Sequence, residues 1–167
     1  GVYYDTSAVF TQLGISIGGL DVFDECGRSV SLSANGNRVA IGAPGYSGDV
    51  RIFEYDGMNW VQLGVQIDGE RNSDRSGSSV SLSADGTRVA IGAPYNDGNG
   101  SGSGHVRLFE YDGANWLQLG EDIDGEAEGD ESGYSVSLST DGKRVAIGAP
   151  ENEGNESNSG HVRIFEY

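Results

Sequence analysis

The chain has 167 residues, among them 28 glycines but only three prolines, one cysteine and one methionine. Glycine without a period of three excludes collagen, a single cysteine excludes a disulfide scaffold, and no apolar run nears the roughly 20 residues of a bilayer span. Acidic residues outnumber basic ones 26 to 10, and the resulting charge of −16 would repel a phosphate backbone, so a cationic partner or metal ions fit better than nucleic acid.

In chain order, the first segments are fragments of a pattern seen complete later on. Gly1 to Asp5 reads as the tail of a third strand, and Phe10-Thr11-Gln12-Leu13-Gly14 as a strand without a sheet of its own. Ser29-Val30-Ser31-Leu32-Ser33 alternates with period two and opens a complete unit. Asn35-Gly36 suits a two-residue type I′ hairpin leading into Arg38 to Ala43. That second strand is closed by Pro44, which has no N–H to offer a ladder. Val50 to Tyr55 is the third strand, Tyr55-Asp56-Gly57 turns the chain, and Trp60-Val61-Gln62-Leu63-Gly64 is the fourth.

The unit then repeats. Ser79 to Ser83 and Ser135 to Ser139 copy the first strand at offsets of 50 and then 56 residues; Arg88 to Pro94 and Arg144 to Pro150 copy the second. Val106 to Tyr111 and Val162 to Tyr167 copy the third, and Trp116 to Gly120 the fourth. Four short antiparallel strands in 50 to 56 residues is the size of a propeller blade and far longer than a β-solenoid coil. The predicted fold is therefore all-β, with propeller-type, four-stranded antiparallel blades. Its parts are 1–14, the end of a preceding blade with a spare outer strand; 15–64, blade one; 65–120, blade two; and 121–167, blade three without its outer strand. Small serines place the Ser-Val-Ser-Leu-Ser strand innermost, at the crowded axis. The valines, leucines and isoleucines of the first two strands would then fill the space between neighbouring sheets.

The run Gly27-x-Ser29-Val30, hairpin, Val39-Ala40-Ile41-Gly42-Ala43-Pro44 and Val50-Arg51-Ile52-Phe53 resembles the FG-GAP repeat of integrin α-chain propellers. It is also similar to expanded repeat proteins of algal and protist surfaces. The resemblance implies an extracellular setting, secreted or at the cell surface. Two departures stand out: Cys26, Ser76 and Ser132 replace an aromatic residue, and a short turn replaces the calcium loop that many such repeats carry between strands one and two. Calcium binding at that position is therefore not expected.

Closed propellers need four to eight blades, so three must be completed. Phe10, Gln12 and Leu13 offer a strand, and Val162, Ile164 and Phe165 an edge that lacks one. Exchange between chains would give a six-bladed dimer or a filament, while neighbouring blades of a longer polypeptide would complete the ring within one chain. Loops joining strands two to three and four to one share a face that collects the acid, with seven carboxylates from Glu121 to Glu131. Asp124, Glu126 and Asp130 are candidate calcium ligands there. The repeated Asp24, Asp74 and Asp130 read more simply as turn caps. Asn99 and Asn155 are candidate glycosylation sites. His105 and His161 read as loop hydrogen-bond donors, and the repeated arginines as partners of neighbouring carboxylates.

No Walker loop, H-E-x-x-H or G-x-S-x-G motif occurs, and no unlike residues break the repeat as a catalytic site would. The expected function is non-enzymatic: a structural module self-associating by strand complementation. The alternative is a carbohydrate- or calcium-dependent adhesion propeller working through the acidic face.

Overall fold

Ser-Val-Ser-Leu and Arg-Val-Ala-Ile-Gly-Ala pair as antiparallel strands in all three repeats of the computed structural model, which describes residues 9–154, 156 and 159–167. The first sheet runs β1 (Ser29–Leu32), β2 (Arg38–Ala43), β3 (Asp49–Tyr55), β4 (Trp60–Gln62), with β5 (Ile67–Asp68) also on β3. The second contains β6 (Ser79–Leu82), β7 (Arg88–Ala93), β8 (His105–Tyr111) and β9 (Trp116–Gln118), with β10 (Ile123–Asp124) on β8. The third holds β11 (Ser135–Leu138), β12 (Arg144–Ala149) and β13 (His161–Glu166). These are three consecutive blades of an all-β propeller. No helix of the described residues is long and apolar enough to cross a membrane.

Two local expectations need correction. The first hairpin is no two-residue type I′ turn. Ser33 and Arg38 close a four-residue loop in which only Gly36 takes a positive φ, as do Gly86 and Gly142 in the copies. The side chain at Asn35 is the reason. Its Oδ1 accepts the Asn37 N–H at 2.9 Å and the Ser33 hydroxyl at 2.8 Å, a local turn that asks for no left-handed backbone. Asp85 and Asp141 do the same, and these bonds hold both carboxyls below the usual aspartate range.

The outer strand also extends further than the alternation suggested. Gly64 turns the chain aside at φ 66°, and Ile67 and Asp68 then return to pair with Val50 and Asp49. Ile123 and Asp124 do likewise on Val106 and His105. The first sheet therefore ends at Asp68 and the second at Asp124, beyond the boundaries drawn at Gly64 and Gly120. Burial of the Ile67 side chain between the sheets holds this return in place.

The blades stack face on face. Ala40, Val50, Ile52 and Ile67 of the first pack against Val80, Leu82, Val89, Ile91, Phe109 and Trp116 of the second. Ala90, Val106 and Leu108 repeat the contact against Val145 and Ile147 of the third. Innermost strands β1, β6 and β11 lie side by side, and their serines bond across the blades. Ser29 donates to the Gly77 carbonyl and Ser79 to that of Gly133, both at 2.7 Å, while Ser31 accepts the Leu82 N–H at 2.9 Å. Gly42 and Gly92 lie so close to the Gly77 and Gly133 carbonyls that a Cβ would collide with backbone, which explains the glycine of each Gly-Ala-Pro.

The repeated arginines tie strands and blades together, as their spacing implied. Arg38 pairs with Glu54 at 3.0 Å and Arg88 with Glu110 at 2.9 Å, each also reaching a carbonyl of the next blade, Gly86 or Gly142. Arg51, Arg107 and Arg163 stack on Phe53, Phe109 and Phe165 and donate to the Gly18, Asp68 and Asp124 carbonyls.

Candidate functional site

The two ends of the stack present complementary open faces. Val30 and Leu32 are 64% and 61% exposed on the first blade, whereas their copies Val80 and Leu82 are buried at 9% and 7%. On the third blade Val162 and Ile164 are 67% and 70% exposed, against 0% and 7% for Val106 and Leu108. At each internal interface the second kind of face covers the first. The stack thus ends in one unsatisfied copy of each.

Beside β13 lies a cavity of about 220 Å³ lined by Leu108, Leu119, Ile123, Val145, Phe165 and Tyr167. These are the copies, 56 positions on, of Ile52, Leu63, Ile67, Val89, Phe109 and Tyr111, the residues that pack with Trp116 one interface earlier. The cavity is the copy of the site that Trp116 fills one interface earlier.

At the other end, residues 9–28 contain no strand, and the Phe10 ring is almost fully exposed. The segment nevertheless keeps the place of a fourth strand. Trp60 donates its indole N–H to the Leu13 carbonyl at 3.0 Å, as Trp116 does to Leu63. Arg51 bonds Gly18 as Arg107 bonds Asp68. Ile17 packs on Val39, Ile41 and Phe53 with Cys26 and Trp60. Leu13 thus holds the position of an outer-strand residue against the first blade, although Phe10, Gln12 and Leu13 belong to no strand and have no sheet partner among the described residues. The first residues, Gly1 to Asp5, lie outside the described residues.

On the loop face, the candidate calcium ligands do not converge. Asp130 is buried, and its Oδ2 accepts the Asn152 amide at 2.9 Å and the Ala127 N–H at 3.0 Å. Asp74 binds Asn96 at 2.8 Å, and Asp24 takes the Leu20 N–H at 2.8 Å, so the repeated aspartate is an internal cap. Glu126 instead faces His161 and Arg163, at 3.5 and 3.9 Å. Asp124 sits in β10 opposite His105. Asn99 is exposed, but its side-chain amide donates to the carbonyls of Gly125 at 2.9 Å and Glu126 at 3.2 Å, and a glycan on that nitrogen would displace one of these bonds. Asn155 lies outside the described residues.

Two groupings escaped the sequence reading. His105, read as a loop donor, makes no hydrogen bond from its ring among the described residues. Its Nδ1 lies 3.5 Å from Asp122 and 4.0 Å from Glu70, and burial lowers its pKa so that the neutral ring is favoured. The signal available was the shared 56-residue offset of Glu70/Glu126, His105/His161 and Arg107/Arg163. The second is a groove lined by Tyr46, Ser73, Arg75, Tyr95, Asp97 and Ser101, where the Arg75 guanidinium stands 5.5 Å over the Tyr95 ring. Tyr46 and Tyr95 come from different repeats and meet only at this groove. Asp49, where the other units have histidine, has its pKa raised to about 6, chiefly by burial and then by the neighbouring Asp24.

Comparison with known proteins agrees with this architecture. The family model described as FG-GAP repeat matches residues 67–109 and 123–165. No curated protein sequence matches the chain. Among solved structures, Kuenenia stuttgartiensis hydrazine synthase is similar over 98% of this chain and 36% of its own, at 12% identity and a TM-score of 0.53. This chain therefore spans about a third of that enzyme chain, and the likeness is one of fold.

Proposed function

Because the chain belongs to the FG-GAP repeat family, a module typical of extracellular and cell-surface proteins, we propose that it is a non-enzymatic structural unit of such an assembly, joined to further copies by strand complementation. The observation that carries this reading is the match between the cavity beside β13, lined as the Trp116 site is, and the sheetless Phe10–Gly14 segment. Blade one pairs Phe53 with Gln62, Glu54 with Val61 and Tyr55 with Trp60. Carried to the third blade of one copy, the same register sets Gln12, Thr11 and Phe10 of another against Phe165, Glu166 and Tyr167. Phe10 then enters the cavity, while Val30 and Leu32 of one copy cover Val162 and Ile164 of the other.

This arrangement removes apolar side chains from water and gives the open β13 edge a partner, two favourable terms at once. If it closes after two chains it gives a six-bladed ring; if not, a filament. In a longer polypeptide, a neighbouring blade would fill the cavity with the same kind of segment. Mixing a Thr11→Cys chain with a Glu166→Cys chain, both carrying Cys26→Ser, tests the register. A disulfide-linked heterodimer formed faster than either homodimer is expected; no preference for the heterodimer would sink the proposal.

A second reading rests on the Tyr46–Tyr95 groove. Exposed aromatic rings beside Arg75 and Asp97 are the chemistry that stacks on and hydrogen-bonds sugars, so the loop face serves as a carbohydrate-adhesion surface in this reading. Loss of glycan binding in Tyr46→Ala and Tyr95→Ala chains would support it; unchanged binding would count against it. Glycosylation at Asn99 or Asn155 belongs to the same extracellular setting and is read directly by intact mass.

A further inference from the structure

We propose that Glu70, His105 and Asp122 form a binding site for one divalent transition-metal ion of the zinc class, clipping the outer strand of the second blade to the linker that enters it. Three segments supply the ligands. Glu70 follows β5 on the way into the second blade, His105 opens β8, and Asp122 directly precedes β10. The His105 Nδ1 and one carboxylate oxygen from each acid lie within 4.8 Å of one another, the only such group of three among the described residues.

The spacing suits an ion. Zinc bonds to nitrogen and oxygen of about 2.0–2.2 Å at tetrahedral angles put ligand atoms roughly 3.3–3.6 Å apart; Nδ1 stands 3.5 Å from Asp122 Oδ2, and 4.0 Å from Glu70 Oε2, whose exposed carboxylate needs to close in by only about half an ångström. No hydrogen bond among the described residues competes for the His105 ring. The ring is buried, while the two acids open towards solvent and give an ion its path in. Arg107 stands 3.9 Å from Glu70 Oε1, an orienting contact that leaves Oε2 facing the imidazole. Two carboxylates and a neutral imidazole present two negative charges to a divalent cation, in a chain whose overall charge of −16 attracts cations generally.

The other repeats show how specific the combination is. In the first, the equivalent positions are Leu20, Asp49 and Gln66, of which only Asp49 is a carboxylate or imidazole. Around the third, Glu126 and His161 preserve two, with Nδ1 to Oε2 again 3.5 Å. Among the described residues one full site stands. A borderline ion is favoured over calcium because imidazole nitrogen is a poor ligand for the harder cation.

Titration of the full chain with zinc chloride, followed by calorimetry in a Cys26→Ser background, tests the site. One zinc per chain and a rise in Tm are expected, with at least tenfold weaker binding in Glu70→Gln/Asp122→Asn and unchanged binding in His161→Ala. The two acid substitutions lie at the rim, and circular dichroism checks that the sheets persist. Absence of saturable uptake, or equal affinity in Glu70→Gln/Asp122→Asn, would overturn the assignment. Neither result depends on how the third blade is completed.

Discussion

Trp60 donates its indole N–H to the carbonyl of Leu13 at 3.0 Å, although Leu13 belongs to no strand. The identical bond from Trp116 ends on Leu63, which continues from β4 and donates its own N–H to Ile52. One contact therefore seats Leu13 where only an outer strand has reason to be.

The Phe10 ring should then control association. Phe10→Trp supplies the side chain found at the other two fourth strands and an indole that can reach the Leu119 carbonyl, so it should lower the dissociation constant of self-association. Phe10→Ala should raise it by tenfold or more. Concentration-dependent sedimentation of the three chains measures the order; identical behaviour would exclude Phe10 from the interface.

Glycines separate folding from assembly. Gly92→Ala drives a methyl group into the Gly133 carbonyl of the adjacent blade and should destabilise the chain by about 2 kcal/mol or more, the scale of overpacking. At Gly148 the three nearest atoms all belong to Ser135, its hydroxyl first, where Gly92 meets the backbone of the next blade. Gly148→Ala should leave Tm within a few degrees of the parent yet block association, because the partner's Gly27 takes the place of Gly133. Thermal melting and sedimentation together read both effects.

Trp116 gives the size of what filling such a site contributes. Trp116→Ala removes a buried indole from the contact between the first two blades and should cost about 3–5 kcal/mol in unfolding free energy. Denaturant titration checks this. A loss under about 1 kcal/mol would mean that the site contributes little.

Asp49 predicts a dependence on pH. Its pKa is raised from 3.8 to about 6 in the fold, so the folded chain holds a proton that the unfolded chain has lost between those values. Stability from this group therefore falls as pH rises through that window, and the penalty is complete above it. Asp49→Asn should raise Tm at pH 7.5, with the gain shrinking as pH falls towards 4. A gain independent of pH would assign the effect to packing.

The sequence carried the blades because each depends on local pattern. Period-two runs such as Ser29 to Ser33 and Val50 to Tyr55, and the identity of their copies, are written in neighbouring residues. What stayed hidden depended on geometry. Asn35 supports a four-residue loop because its side chain captures Asn37, an outcome the Asn-Gly dipeptide alone does not distinguish from a type I′ turn. Ile67 returns to the sheet after Gly64 because a buried pocket receives it, and no alternation announces that. Glu70, His105 and Asp122 meet only once the linker and both edges of β8 have been placed. Asp124, Glu126 and Asp130, close in sequence, point to different partners for the same reason.

Assembly turns on whether the open edge of the third blade takes a strand from another copy. The mass in solution of the 167-residue chain, followed by analytical ultracentrifugation across a wide concentration range, tests this most directly. Multiples of 17.5 kDa that grow with concentration and vanish in Gly148→Ala are predicted. A monomer of 17.5 kDa at every concentration would contradict it.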